Sequence, residues 1–190
     1  EVWQKAHGTG YISGIPRGKE IFEEVKAGDI RSQGFDLNGG WVPLYSIHKL
    51  FAGLRDAYRY TDNKLALLVE VRLGLWLVDV FEDLNDQQIQ EVLKCEYGGM
   101  SEVLADLAED TDDERFWKLS QLFHHKELLN SLEAENDVLA GRHANTQIPK
   151  IIGAARQYEL SGNDSYRRMS EFFWKQVVHH HSYVIGGNSM

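Results

Sequence analysis

The chain has little that would tie it together covalently or hold it in lipid. Cys95 is the only cysteine in 190 residues, which excludes an internal disulfide and any cysteine-rich metal site built from this chain alone. No long run is free of charge. The most apolar stretch, Ala66 to Phe81, is broken by Glu70, Arg72 and Asp79, so it reads as a buried helix and no membrane partner is expected. Clustered positive charge is also missing. A formal net charge of −9 argues against a nucleic-acid partner, because phosphate affinity rests on grouped lysines and arginines. The first ten residues, EVWQKAHGTG, carry neither a basic leader nor an apolar signal region, so any export signal is expected to have been removed or never to have existed.

What is present is an ordinary globular composition with a core of useful size. Residues 1–40 are rich in glycine and read mostly as loop, with one short helix from about Lys19 to Lys26 that puts Ile21, Phe22 and Val25 on one face. The glycines there have no lysine-serine ending and no preceding strand, so they do not fit a phosphate loop. After Pro43 the pattern is helical. Helices are predicted over Leu44 to Tyr60, Lys64 to about Leu84, Met100 to Asp110, from Glu114, over Lys126 to Leu139, over Gln147 to Leu160, and from Ser165 to about His181. Residues 85–94 read as a short helix or turn, followed by a CEYGG loop.

The helix stops carry the most information. Thr61, Thr111 and Ser161 recur at intervals of 50 residues, each followed by turn formers and a new helix. Such a unit is a helical hairpin that buries its apolar face only against its neighbours. Gly53, Ala57, Ala105, Gly153, Ala154 and Ala155 lie in the first helix of each hairpin, and Trp76, Phe116, Trp117, Phe173 and Trp174 in the second. Small residues allow an inner ring of helices to approach closely, so the expected fold class is all-α, with hairpins arranged as in an α/α barrel.

The loops before the inner helices then open on one end. They supply Trp41, Tyr45 and His48; Glu96, Tyr97 and Glu102; His143, Asn145 and Gln147; and, near the end, Asn188 and Ser189. Aromatic faces beside carboxylates, amides and imidazoles suit a neutral, hydroxyl-rich carbohydrate partner. His48 alone reads equally as a structural histidine, and Glu102 as an acid favouring a helix N-terminus. His179, His180 and His181 cannot chelate one ion, since successive helix positions point about 100° apart, and the same holds for His124-His125. No metal site is expected in this chain. Cys95 could be exposed by a polar loop, but an unpaired cysteine is more often inert.

Four stretches together resemble a known family. GWVPLYSIHKLFAGLRDAY, EYGGMSEVLADL, GRHANTQIPKIIGAARQYELSG and SYVIGGNS are similar to the N-terminal half of the β-L-arabinofuranosidase family of glycoside hydrolases, formerly a domain of unknown function. The resemblance implies an (α/α)6 barrel cleaving arabinofuranosides with retention, with a zinc-bound cysteine thiolate as nucleophile and a glutamate as acid/base. It implies that His48 and His143 line the sugar subsite, with Glu102 and Asn145 as further candidates; Trp41, Glu96, Tyr97 and Gln147 join them on the convergence of the loops alone.

The family's acid/base glutamate, zinc ligands and nucleophile lie beyond the motif at SYVIGGNS, so the catalytic residues are expected downstream of Met190. Neither a catalytic residue nor zinc is expected within residues 1–190. The chain is expected to be an incomplete barrel of three hairpins, inactive alone and self-associating through exposed inner-helix surface. Many family members come from polysaccharide-degrading bacteria, leaving periplasm and cytoplasm both open. Two further readings remain: a helical-repeat scaffold that binds protein, and a carbohydrate-binding remnant without chemistry.

Overall fold

The architecture follows from three nearly identical helix breaks. In the computed structural model, which describes residues 1–188, α3 (Pro43–Thr61), α6 (Met100–Thr111) and α9 (Ala144–Ser161) each end in the same way. The hydroxyl of Thr61 donates to the Ala57 carbonyl at 2.5 Å, that of Thr111 to Leu107 at 2.6 Å and that of Ser161 to Gln157 at 2.6 Å. The next residue, Asp62, Asp112 or Gly162, takes the left-handed conformation that closes a helix. Then Asn63, Asp113 or Asn163 accepts a backbone N–H of the following helix with its side chain. These caps open α4 (Lys64–Phe81), α7 (Glu114–Leu122) and α10 (Asp164–His180). Three hairpins result, and the 50-residue period is a structural repeat.

The hairpins stack in series through their first helices. α6 packs against α3 on one side and α9 on the other, while α4 and α7 pack together behind them. Gly153 shows why small residues stand here. A Cβ at that position would lie 2.0 Å from the Ser101 hydroxyl and 3.0 Å from the Glu102 nitrogen, so only glycine lets α9 approach α6 this closely. At the repeat-equivalent Gly53 a Cβ would meet nothing within 4 Å. That face of α3 is open.

Short helices fill the spaces. α5 (Asp86–Val92) begins with a reciprocal capping box between Asn85 and Gln88, and α8 (Lys126–Glu133) packs on α10. One apolar core runs from Tyr11 and Phe22 through α3, α4 and α6 to Phe123, and a second, smaller one joins Leu128, Leu132, Ile151, Met169 and Phe173. α4 is apolar on most sides because it lies between α2 (Gly18–Lys26), α3, α6 and α7.

Several boundaries differ from the sequence expectation. Residues 1–40 hold a first helix, α1 (Val2–His7), and most of a three-stranded antiparallel meander, β1 (Ser32–Gln33), β2 (Asp36–Leu37) and β3 (Gly40–Trp41). Two-residue strands carry no readable alternation. The meander is pinned instead by Asn38, buried, whose amide donates to Glu24 and to the Asp29 carbonyl, both at 2.8 Å. α8 stops at Glu133 rather than Leu139, and α9 begins at Ala144 rather than Gln147, with Pro149 tolerated inside it. A proline near a helix start removes few internal hydrogen bonds, so it does not mark the boundary.

At the C-terminal ends of the inner helices charge holds the stack together. Asp106 of α6 is buried and bridges Arg55 of α3 at 2.9 Å and Arg156 of α9 at 2.7 Å. Asp110 adds contacts to Arg55 at 2.8 Å and Arg59 at 2.9 Å. Nearby, Glu70 of α4 has no exposed surface and no hydrogen-bond partner for either carboxyl oxygen. Burial, reinforced by Asp110 against the pull of Arg55, pushes its pKa up to about 8, so it is held as the neutral acid.

Candidate functional site

The N-terminal ends of α3, α6 and α9 carry three contiguous groups of side chains. In the first, His48 sits on α3, buried, against the backbone of Gly98 and Gly99. A Cβ at Gly98 would lie 2.6 Å from His48 Nδ1, and one at Gly99 would lie 2.9 Å from Nε2 and 3.0 Å from Glu102 Oε2. The missing side chain at Gly99 therefore leaves room for both the imidazole and the carboxylate beside the loop. His48 Nδ1 has no hydrogen-bond partner. Burial, helped by neighbouring Lys49, lowers its pKa to about 4, so the ring is neutral and offers one donor and one acceptor. Tyr45 meets it edge-on at 5.9 Å. Glu102 is half-buried, and its carboxyl is raised by burial and then by Asp106.

The second group is aromatic. Trp41 ends β3 and is 72% exposed; Phe35, in the turn between β1 and β2, lies 5.3 Å from it and meets the His143 ring edge-on at 6.1 Å. The link between them is strained. Val42 caps α3 with a φ of 38°, unusual for a β-branched residue, and its N–H donates to the Phe35 carbonyl at 2.8 Å. Sequence reasoning missed Phe35, because nothing in its local pattern marks a turn that points at a loop more than a hundred residues away.

The third group lies behind these. Lys150 is buried, with Nζ 3.0 Å from His125 Nδ1, 3.2 Å from Gln147 Oε1 and 5.0 Å from the centre of the Tyr97 ring. Burial, then Arg142, lowers it to about 8 against the opposing pull of Glu96. His125, lowered to about 4 chiefly by burial, is the neutral acceptor. Lys150 was also missed, although its place three residues after Gln147 puts both on one helix face.

The eight candidate side chains thus divide. Trp41, His143, His48 and Glu102 face or border the mouth, and Asn145 is exposed at its rim in the first turn of α9. Glu96, Tyr97 and Gln147 are buried. Tyr97 has no exposed surface and donates its hydroxyl to the Phe123 carbonyl at 3.3 Å, and the Glu96 N–H donates to the Gly34 carbonyl at 2.8 Å. Gln147 faces inward, away from Asn145, because the helix starts earlier than expected.

Asn188 lines a small cavity with Arg142, Gln147 and His181. Ser189 and Met190 lie outside the described residues. The expectation that catalytic residues follow Met190 rests on the family resemblance alone.

Three further histidines make contacts within the fold. His181 contacts Asp137 at 2.7 Å, His124 contacts Asn130 at 2.7 Å, and His125 turns to Lys150. Cys95 has no exposed surface, and burial first, then Asp36, pushes its thiol up to about 12. Among the described residues no group of three histidine, cysteine or acidic side chains could hold a metal ion.

The fold and this mouth define an all-α, helical-hairpin repeat domain whose inner helices present imidazole, carboxylate and aromatic groups at one end. Over residues 1–190 the sequence matches the beta-L-arabinofuranosidase, GH127 catalytic domain. The chain belongs to that family of glycoside hydrolases. Among curated proteins, none matches it.

Proposed function

We propose that this chain supplies the sugar-holding face of a glycoside hydrolase acting on arabinofuranosides or related side chains of plant polysaccharides. The supporting observation is His48: largely buried and held neutral, with its Nε2 and the Glu102 carboxylate both beside Gly99. Nδ1 is enclosed behind Gly98, so Nε2, which stands toward Gly99 and Glu102, is the ring nitrogen left to meet a sugar hydroxyl. His143 and Trp41 border the same mouth, and Lys150 holds Gln147, His125 and Tyr97 as its back wall. Cleavage is assigned to none of these residues, and the sole cysteine is buried as a neutral thiol.

Titration of the purified chain with L-arabinose and methyl β-L-arabinofuranoside tests this. Binding should weaken by about tenfold in His48→Ala, the worth of one or two hydrogen bonds. Wild-type affinity in that variant would remove His48 from the site, and release of arabinose by the chain alone would overturn the non-catalytic reading.

One observation favours association. The last hairpin exposes Ile152 and Trp174 beside a groove of about 550 Å3 lined by Ile148, Ala155 and Phe173. This is the side on which a further hairpin would stack, and the Gly53 face of α3 is open to receive it. We therefore read it as a contact between copies of this chain. A monomeric sedimentation profile at high concentration would refute that reading, and Trp174→Glu should weaken the oligomer.

A further inference from the structure

A second groove opens beside Trp41. It has a volume of about 550 Å3, within the range of small-molecule sites, and runs between the Ser13–Pro16 segment, the Gly39-Gly40 turn and the start of α3 at Ser46 and Leu50. No charged side chain lines it among the described residues. Its walls are the indole, Ile15, Pro16 and Leu50, and its polar groups are the hydroxyls of Ser13 and Ser46 and the backbone around two glycines. Ser13 Oγ accepts the Ile15 N–H at 3.2 Å, which holds that segment in place along the groove.

Neutral hydroxyls beside an exposed aromatic plate match the two surfaces of a sugar ring, whose C–H face stacks while its rim hydrogen-bonds. A phosphorylated or acidic ligand would find no cation in the lining. The groove also shares a wall with the mouth. Trp41 lines the groove and, through Phe35, stands in the aromatic chain that reaches His143.

We propose that this groove is a second carbohydrate subsite, holding the sugar unit attached to the one in the mouth, so that the ligand is an oligosaccharide or polysaccharide branch. This rests on the sugar-holding reading of the mouth. Trp41 is the shared plate, and the Ser13–Pro16 segment sets the length and linkage that fit.

Gly14 offers a clean test, since a Cβ there would meet nothing within 4 Å and a bulky side chain would fill the groove without disturbing the core. Isothermal titration of the whole chain with L-arabinose and with an arabinofuranosyl disaccharide should show the disaccharide about tenfold tighter or more, the worth of one or two added hydrogen bonds and a stacked ring. In Gly14→Phe that advantage should vanish while the L-arabinose affinity stays unchanged, with an unaltered urea midpoint as the control for folding. Ser13→Ala should reduce the advantage by a few fold. A disaccharide that binds wild type no tighter than arabinose, or an advantage that survives Gly14→Phe, overturns the subsite and leaves the mouth intact. Failure of both sugars to bind wild type overturns the mouth, and the subsite with it.

Discussion

The two ends of α3, α6 and α9 use opposite chemistry. At their C-terminal ends the helices are joined by Arg55, Asp106, Asp110 and Arg156, carboxylate against guanidinium across the stack. Near their N-terminal ends two imidazoles, His48 and His125, are held neutral, and Lys150 is lowered to about 8. The first end is therefore joined by ion pairs across the stack, and the second is the one to which the sugar-holding role is proposed. Charged pairs that satisfy one another have nothing left for a ligand, whereas the Nε2 of a neutral His48 has.

The largest effect that should separate the two ends is their dependence on pH. Glu70, raised in the fold from 4.5 to about 8, contributes stability that is full below pH 4.5 and lost as pH rises through 8, on the order of 5 kcal/mol in all. His48 and His125, lowered from 6.5 to about 4, contribute stability that is present above pH 6.5 and lost as pH falls through 4. The C-terminal end therefore weakens in alkali and the mouth in acid. Urea midpoints at about pH 6.5 and about pH 9, compared between wild type and Glu70→Gln, isolate the Glu70 part, because Lys150, lowered to about 8, titrates in the same window with the opposite sign in both proteins. Glu70→Gln should flatten the fall between those two values and leave the acidic loss below about pH 6 in place. A wild type that falls no further than Glu70→Gln would contradict the neutral buried acid.

Next in size is the ion-pair ladder. Asp106→Ala leaves Arg55 and Arg156 facing each other, each with a side chain only 20% exposed, and should cost about 2 kcal/mol at neutral pH. Their remaining contacts to Glu109 soften the loss. Arabinose affinity should be essentially unchanged, because the ladder lies at the other end of the helices. A matching loss of affinity would show that the ends are coupled.

The smallest changes probe the stack itself. Gly153→Ala forces a methyl group against Ser101 and the Glu102 backbone, so it should destabilise by about 1 to 2 kcal/mol and weaken sugar binding by shifting Glu102. Gly53→Ala, in open space on the equivalent turn of α3, should stabilise by about 0.5 to 1 kcal/mol through helix propensity. Equal signs for the two substitutions in thermal unfolding would mean that the hairpins do not stack as described.

How much is legible in the sequence follows from the range of each interaction. The three stops at Thr61, Thr111 and Ser161 are readable because a hydroxyl bonded four residues back, a left-handed residue and an Asn or Asp cap are all local. His48, Glu102, Trp41 and His143 gather at one end because the repeat orients every inner helix alike. The burial of Tyr97, Glu96 and Gln147 is not readable. A glycine-rich loop looks exposed in sequence, and only the packing of Phe123, Gly34 and Lys150 against it closes it.

The helical hairpins and their period are thus written in the chain itself, through contacts within a turn or two, and the period in turn marks Gly153 as a seam and the end on which polar residues gather. Which of those residues remain open to a ligand is a property of the folded packing. Packing brings Phe35 to His143, Lys150 to His125 and the Ser13–Pro16 segment to Trp41. The physical reason is that burial and desolvation depend on neighbours distant in the chain, and these set the charge of His48, the silence of Cys95 and the openness of the groove beside Trp41.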